Sequence, residues 1–122
     1  MVNKCNKKMK VIEKPWGKEE ILEVNDNYVV KRLTMNAGCK CSLQYHNEKM
    51  ETIYVLKGPL YVHTNHGSVS INENMIFSGE YITITAGTVH RMEAKETEAV
   101  YLECSTPQLD DVVRIEDDYN RI

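Results

Sequence analysis

Alternation of apolar and polar positions with a period of two dominates this chain, and it predicts strands from end to end. Candidate strands run over 19–24, 28–35, 39–46, 52–56, 60–63, 68–71, 81–85, 89–93 and 99–104. Turn formers separate them: Asn25-Asp26-Asn27, Asn36-Ala37-Gly38, Lys57-Gly58-Pro59, Thr64-Asn65-His66-Gly67, Asn72-Glu73-Asn74, Ser78-Gly79 and Ala86-Gly87-Thr88. Short strands at this spacing indicate an all-β sandwich or small barrel. Only the tail, Ile115 to Asn120, reads as a helical turn.

Four residues within this pattern describe a metal site. Gln44 and His46 are two apart, so on a strand both point to one face. Glu51 follows Asn47-Glu48-Lys49-Met50, a polar stretch short enough to turn a hairpin and return the chain beside the first strand. His90 enters a later strand after a turn. Two imidazoles, a carboxylate and an amide oxygen suit a borderline divalent cation and leave positions open for water or substrate. Zinc heads the expected metals, with cobalt, manganese, nickel and iron compatible with the same donors. Gln44, a neutral amide, is the weakest donor and can instead only hydrogen-bond. His63 and His66, beside a turn, read as ordinary side chains.

Length and charge narrow the classes. At 122 residues the chain suits one domain over 11–122, able to bury roughly two-thirds of its unfolded surface without disulfides. Residues 1–10 are basic, lack the apolar core of a signal peptide, and read as a flexible, solvated leader. The net charge of −3 gives no electrostatic reason to expect nucleic acid or an anionic membrane. No apolar run approaches the ~18–20 residues needed to span a bilayer. Cys39 and Cys41 would share a strand face, and Cys5 and Cys104 show no partner spacing; the four fit a reducing, cytoplasmic setting as half-buried thiols.

The stretch Gly38 to Gly58 resembles the first motif of the cupin superfamily: glycine, five residues, ligand, one residue, histidine, four residues, glutamate, six residues, glycine. Gly79 to His90 resembles the second, with Thr85 where proline is usual. The likeness narrows further. Lys14-Pro15-Trp16-Gly17, Ser42-Leu43-Gln44-Tyr45-His46, Gly87-Thr88-Val89-His90-Arg91 and the run Asp110 to Arg121 are similar to the type II mannose-6-phosphate isomerases. In that family the domain is usually the C-terminal half of a fusion with mannose-1-phosphate guanylyltransferase. The likeness covers residues 11–121, and nucleotidyl transfer does not come with it.

The resemblance implies a cupin barrel, a jelly-roll-like double-stranded β-helix, usually paired as a homodimer, with the metal in its mouth. It implies interconversion of mannose 6-phosphate and fructose 6-phosphate through an enediol, and it places Gln44, His46, Glu51 and His90 as ligands. Lys49 stands where the family typically has an arginine, keeping the charge without the bidentate fork. Arg91 and Arg114 fall within matching motifs as contacts for a sugar phosphate, alongside Lys49. Lys49, Arg91 and Glu103 are the catalytic candidates, with Glu103 as acid/base on the last long strand. Lys31 and Arg32 alternate, so only one can face inward. Trp16 reads as cover for the barrel wall or a dimer seam. Two other readings remain open: a non-catalytic cupin that binds sugars or sugar phosphates, and a cupin oxygenase using two histidines and a carboxylate on iron.

Overall fold

A computed structural model describes residues 9–65 and 71–121. It contains eleven strands: β1 Lys10–Lys14, β2 Gly17–Val24, β3 Val29–Met35, β4 Leu43–Tyr45, β5 Glu51–Lys57, β6 Leu60–Asn65, β7 Asn72–Ile76, β8 Tyr81–Ile84, β9 Val89–Glu93, β10 Ala99–Ser105 and β11 Val113–Glu116. They form two antiparallel sheets, ordered β1-β2-β3-β10-β5-β8 and β11-β4-β9-β6-β7. The two sheets face one another as the all-β cupin barrel.

The interior divides into an apolar half and a charged half, and strand register explains the division. On β5 the inward residues are Glu51, Ile53 and Val55; on β10 they are Ala99, Tyr101 and Glu103. Antiparallel pairing sets Tyr101 opposite Leu33 and Val55, and Glu103 opposite Lys31 and Ile53. Apolar side chains therefore gather at one end, where Trp16, Met35, Leu60, Val62, Ile84 and Met92 join them. Each fully buried Ile, Val or Leu contributes about 1.5–3 kcal/mol. Charged side chains gather at the other end, where the strands open into a cavity.

Several expectations need correction. Lys10, expected in the leader, begins β1, whose inner face carries Lys10, Ile12 and Lys14. The expected return strand at 68–71 lies mostly outside the described residues; β6 pairs instead with Asn72–Ile76, a stretch rich in turn formers. Asn74 suits a strand there because its amide nitrogen donates to the Val62 carbonyl and the Thr64 hydroxyl, both at 3.1 Å. The expected helical turn at 115–120 is the end of β11 followed by a tight reversal. Its residues serve as a partner strand for β4, a tertiary pairing that overrides local preference. Of the predicted strand 39–46, only Leu43–Tyr45 is a full strand, with an isolated bridge at Lys40. His66 and Cys5 lie outside the described residues.

Candidate metal centre

Gln44 lies on β4 and His46 immediately follows it, Glu51 opens β5, and His90 lies on β9. His46, Glu51 and His90 are buried, and one donor atom from each lies within 4.8 Å of the others. His90 Nε2 is 3.2 Å from Glu51 Oε1, and His46 Nε2 is 3.8 Å from the same oxygen. Gln44 is directly paired with His90 across β4 and β9, and its side-chain oxygen accepts from Ser42 Oγ at 3.0 Å.

The other ring nitrogens decide what these atoms can do. His90 Nδ1 donates to the Thr88 carbonyl at 2.8 Å, and His46 Nδ1 donates to the Asp111 carbonyl. Those bonds assign the Nδ1–H tautomer to neutral rings and leave both Nε2 lone pairs aimed at the Glu51 carboxylate. His46 Nε2, His90 Nε2 and both Glu51 oxygens accordingly have no hydrogen-bond partner among the described residues. Lone pairs facing a buried anion are costly unless a cation sits among them. The donor set therefore fits a divalent metal, with His46, Glu51 and His90 as ligands and Gln44 beside them. Without a cation, burial would raise the Glu51 pKa, but the imidazoles of His46 and His90, where they carry a proton on Nε2 and donate to it, together with Lys49, outweigh burial and hold the carboxyl well below its usual value.

Lys49 and Glu103 form a second buried unit beside this cluster. Lys49 Nζ lies 3.0 Å from Glu103 Oε2 and 3.2 Å from Glu51 Oε2. Burial opposes the lysine's charge, yet the two carboxylates outweigh burial and raise its pKa, so Lys49 is a fixed cation. Glu103 behaves oppositely: burial, reinforced by the Glu51 charge, raises its pKa against the pull of Lys49 and Lys31. A carboxyl with raised pKa beside a fixed cation is an arrangement suited to proton transfer. Of the alternating pair on β3, Lys31 is the inward residue, bonded to Glu19 at 2.6 Å, while Arg32 forks onto Glu20 on the outer face.

Both units open into a cavity of about 510 Å³. Gln44, His46, Lys49 and Glu103 line its inner wall, and Glu51 and His90 lie behind them. Arg114 on β11, directly paired with Gln44, lines it as well. Arg91 does not. It follows His90 on a strand and so faces the other way, where Nε donates to the Cys41 carbonyl at 2.9 Å and the guanidinium meets Asp118 at 3.5 Å and Glu116 at 3.8 Å. Arg91 ties down the chain after β11 and is not brought into the cavity. Trp16 is buried in the barrel wall, and the Cys41 thiol is buried with its pKa pushed up to about 11.

Two residues outside the expected set organise the site. The Asp111 carboxylate accepts from the backbone N–H groups of Asn47, Glu48 and Lys49 at 2.9, 2.7 and 2.9 Å, which fixes the hairpin joining His46 to Glu51. Arg121 also lines the cavity, gripped by Asp117. The sequence signal for both was their place in the run Asp110 to Arg121, one of the stretches that resembles the family.

Solved structures share this fold at low identity. The capsular polysaccharide assembling protein CapF from Staphylococcus aureus superposes with a TM-score of 0.79 at 18% identity, covering 92% of this chain and 33% of that one. KdgF from Halomonas sp. gives 0.72 at 15%, covering 83% and 90% of the two chains. Oxalate decarboxylase from Lactobacillus farciminis gives 0.75 at 16%, covering 88% and 33%. Among sequences, mannose-1-phosphate guanylyltransferase of Salmonella muenchen is 31% identical over 115 residues, 91% of this chain and 23% of that protein. Xanthan biosynthesis protein XanB of Xanthomonas campestris pv. campestris is 30% identical over 116 residues, 90% and 23% of the two chains. This chain thus spans less than a quarter of the length of these relatives. A family model described as mannose-6-phosphate isomerase C-terminal matches residues 2–117, nearly all of the chain, which therefore belongs to that family.

Proposed function

We propose that this domain is a metal-dependent aldose–ketose isomerase interconverting mannose 6-phosphate and fructose 6-phosphate. The observation that carries the reading is that the cation-ready His46–Glu51–His90 cluster and the buried Lys49–Glu103 pair meet at one cavity. Membership of the mannose-6-phosphate isomerase C-terminal family supports this choice of substrate. A divalent cation held by His46, Glu51 and His90, with Gln44 available, would polarise the oxygens on C1 and C2 of the open-chain sugar.

The protein's own groups do the rest. Isomerisation moves the proton on C2 to C1 through an enediol while a proton passes from O2 to O1. One acid/base on one face can carry the carbon-bound proton, and the hydroxyl proton exchanges between the two oxygens. Glu103 has the position and the raised pKa for that carrier. Lys49 stays protonated, orients Glu103, and offsets negative charge developing on the sugar oxygens. The barrel wall of Trp16, Leu33, Met92 and Tyr101 excludes water from the inner end of the cavity. The remote phosphate anchors the sugar through cavity cations such as Arg114.

The test is a coupled assay for fructose 6-phosphate formed from mannose 6-phosphate, using protein chelated and then reloaded with single metals. Turnover that vanishes on chelation and returns with zinc, cobalt or manganese supports the isomerase. Oxygen consumption requiring ferrous iron would instead identify an oxygenase. Thermal stabilisation by a sugar phosphate without any turnover would identify a binding module.

A further inference from the structure

Ser42 immediately precedes β4 and Gln44 lies within it, two residues apart, and both line the cavity. The Ser42 side chain is buried, 1% exposed, and its hydroxyl meets Gln44 Oε1 at 3.0 Å. Among the described residues that is the one hydrogen bond this hydroxyl makes. A buried hydroxyl has a single hydrogen to place, and leaving it unpaired is costly. Turning the amide end for end would set Nε2 against Ser42 Oγ. The serine oxygen could accept from it, but the hydroxyl hydrogen would then face no acceptor. Ser42 therefore donates, and Gln44 keeps its oxygen toward the serine.

Strand direction carries this orientation to the metal centre. Ser42 and His46 lie on opposite sides of Gln44 along the chain, each roughly 7 Å away at ordinary strand rise. The amide oxygen is thus drawn away from His46, and Nε2 is the end left on the side of the cluster. An amide nitrogen donates two hydrogens and has no lone pair for a cation. Turned this way, Gln44 does not complete the set of His46, Glu51 and His90. Gln44 is half-buried, and no described residue accepts from its Nε2. Lys49, the other donor at this wall, is committed to Glu51 and Glu103. Gln44 is therefore the uncommitted donor beside the cluster.

We propose that Gln44, turned by Ser42, donates a hydrogen bond to an oxygen bound at the cation and is not itself a fourth protein ligand. This inference rests on the cation site of the proposed function and not on the identity of the sugar. Three protein ligands leave positions open for an oxygen chelate. An N–H beside those positions stabilises negative charge on the chelate, and being fixed in advance it needs no reorganisation to do so. In the isomerase that charge develops on the C1 and C2 oxygens of the enediol. Ser42 is a positioning residue, acting through Gln44.

Zinc affinity, measured by competition with a chromophoric chelator, separates a donor from a ligand. Were Gln44 a ligand, Ser42 would be its outer partner, and losing such a partner ordinarily costs about 10–100-fold in metal affinity. Gln44→Met and Ser42→Ala should instead both hold zinc within about threefold of the wild type, well short of that loss. Acetohydroxamate, a bidentate oxygen chelate that carries negative charge, is the second probe, titrated by calorimetry into the zinc-loaded protein. The wild type should bind it, and Gln44→Met should bind it roughly tenfold more weakly, the scale of a lost hydrogen bond to a charged group. Ser42→Ala, with its amide free to turn, should also bind it more weakly, and this variant keeps the test open if Gln44→Met does not fold. In turnover, kcat of Gln44→Met should fall by roughly 10²-fold or more, as for a lost oxyanion donor. A larger zinc loss in either variant, unchanged acetohydroxamate affinity in both, or a wild type that binds neither probe overturns the inference. The same split between zinc and acetohydroxamate, in a wild type that never turns over mannose 6-phosphate, upholds the donor and refutes the isomerase.

Discussion

Glu51 and His90 approach to 3.2 Å although they belong to opposite sheets, Glu51 to β5 and His90 to β9. A cation held by this cluster would therefore staple the two halves of the barrel, and its binding should register in stability as well as activity. Free metal at a hundredfold over its dissociation constant would add about 2.7 kcal/mol. Chelation should lower the wild-type melting temperature by several degrees. His90→Ala should retain no metal by elemental analysis, stay folded, and lose its response to chelator. Metal content equal to wild type would remove His90 from the ligand set.

Glu103→Gln tests the proton carrier directly. The amide preserves shape and a contact with Lys49 but cannot take up a proton, so turnover should fall by about 10²–10⁴-fold with metal content unchanged. A fall confined to KM would make Glu103 a binding group. Lys49→Arg keeps the charge and restores the planar fork typical of the family, which can engage Glu51 and Glu103 together. Its turnover should match or exceed that of the wild type, and a loss would show that this cavity is shaped for lysine.

Asp111 links acid stability to the hairpin that carries His46. Hydrogen bonds from the backbone N–H groups of Glu48, Asn47 and Lys49 hold its pKa down, from 3.8 to about 2. A depressed carboxyl stabilises the fold fully above its unfolded pKa and loses that contribution as pH falls through the folded one. The chelated wild type should therefore lose stability between pH 4 and pH 2. Asp111→Asn should melt lower at neutral pH, and the gap should close across that window. A gap independent of pH would mean that the amide replaces the carboxylate fully.

Much of this was legible in the sequence, because period-two alternation and turn residues are local signals. The hairpin from Gln44 to Glu51 could be placed from spacing alone, as could β5, β9 and β10. Elements with charged inner faces were harder. Lys10 and Lys14 on β1 look like a solvated leader until the cavity that accepts them is known, and Asn72 to Ile76 looks like punctuation until β6 lies beside it. Arg91 was misplaced although the signal was present, since a neighbour of His90 on a strand must face the opposite side. Arg121 had no such signal. Its position depends on a chain reversal and on Asp117, which no periodicity encodes.

Gly17 shows how a motif residue far from the chemistry supports it. It sits at φ 154° at the start of β2, paired with Met35 on β3 and Lys14 on β1. A Cβ there would fall 1.9 Å from the Thr34 carbonyl oxygen, a backbone atom that cannot rotate aside. Gly17→Ala must therefore shift β2 against β3 or break their pairing, at a cost of about 3 kcal/mol. The neighbouring Trp16 is buried in the cavity wall, and Glu19 on the same strand holds Lys31 at 2.6 Å. Displacing β2 should disturb that wall while leaving β4, β5 and β9 in place. Gly17→Ala should accordingly melt well below the wild type and bind mannose 6-phosphate more weakly, yet hold metal at low temperature. Denaturant unfolding and elemental analysis on one preparation would check both, and wild-type stability in the variant would show that β2 tolerates the shift.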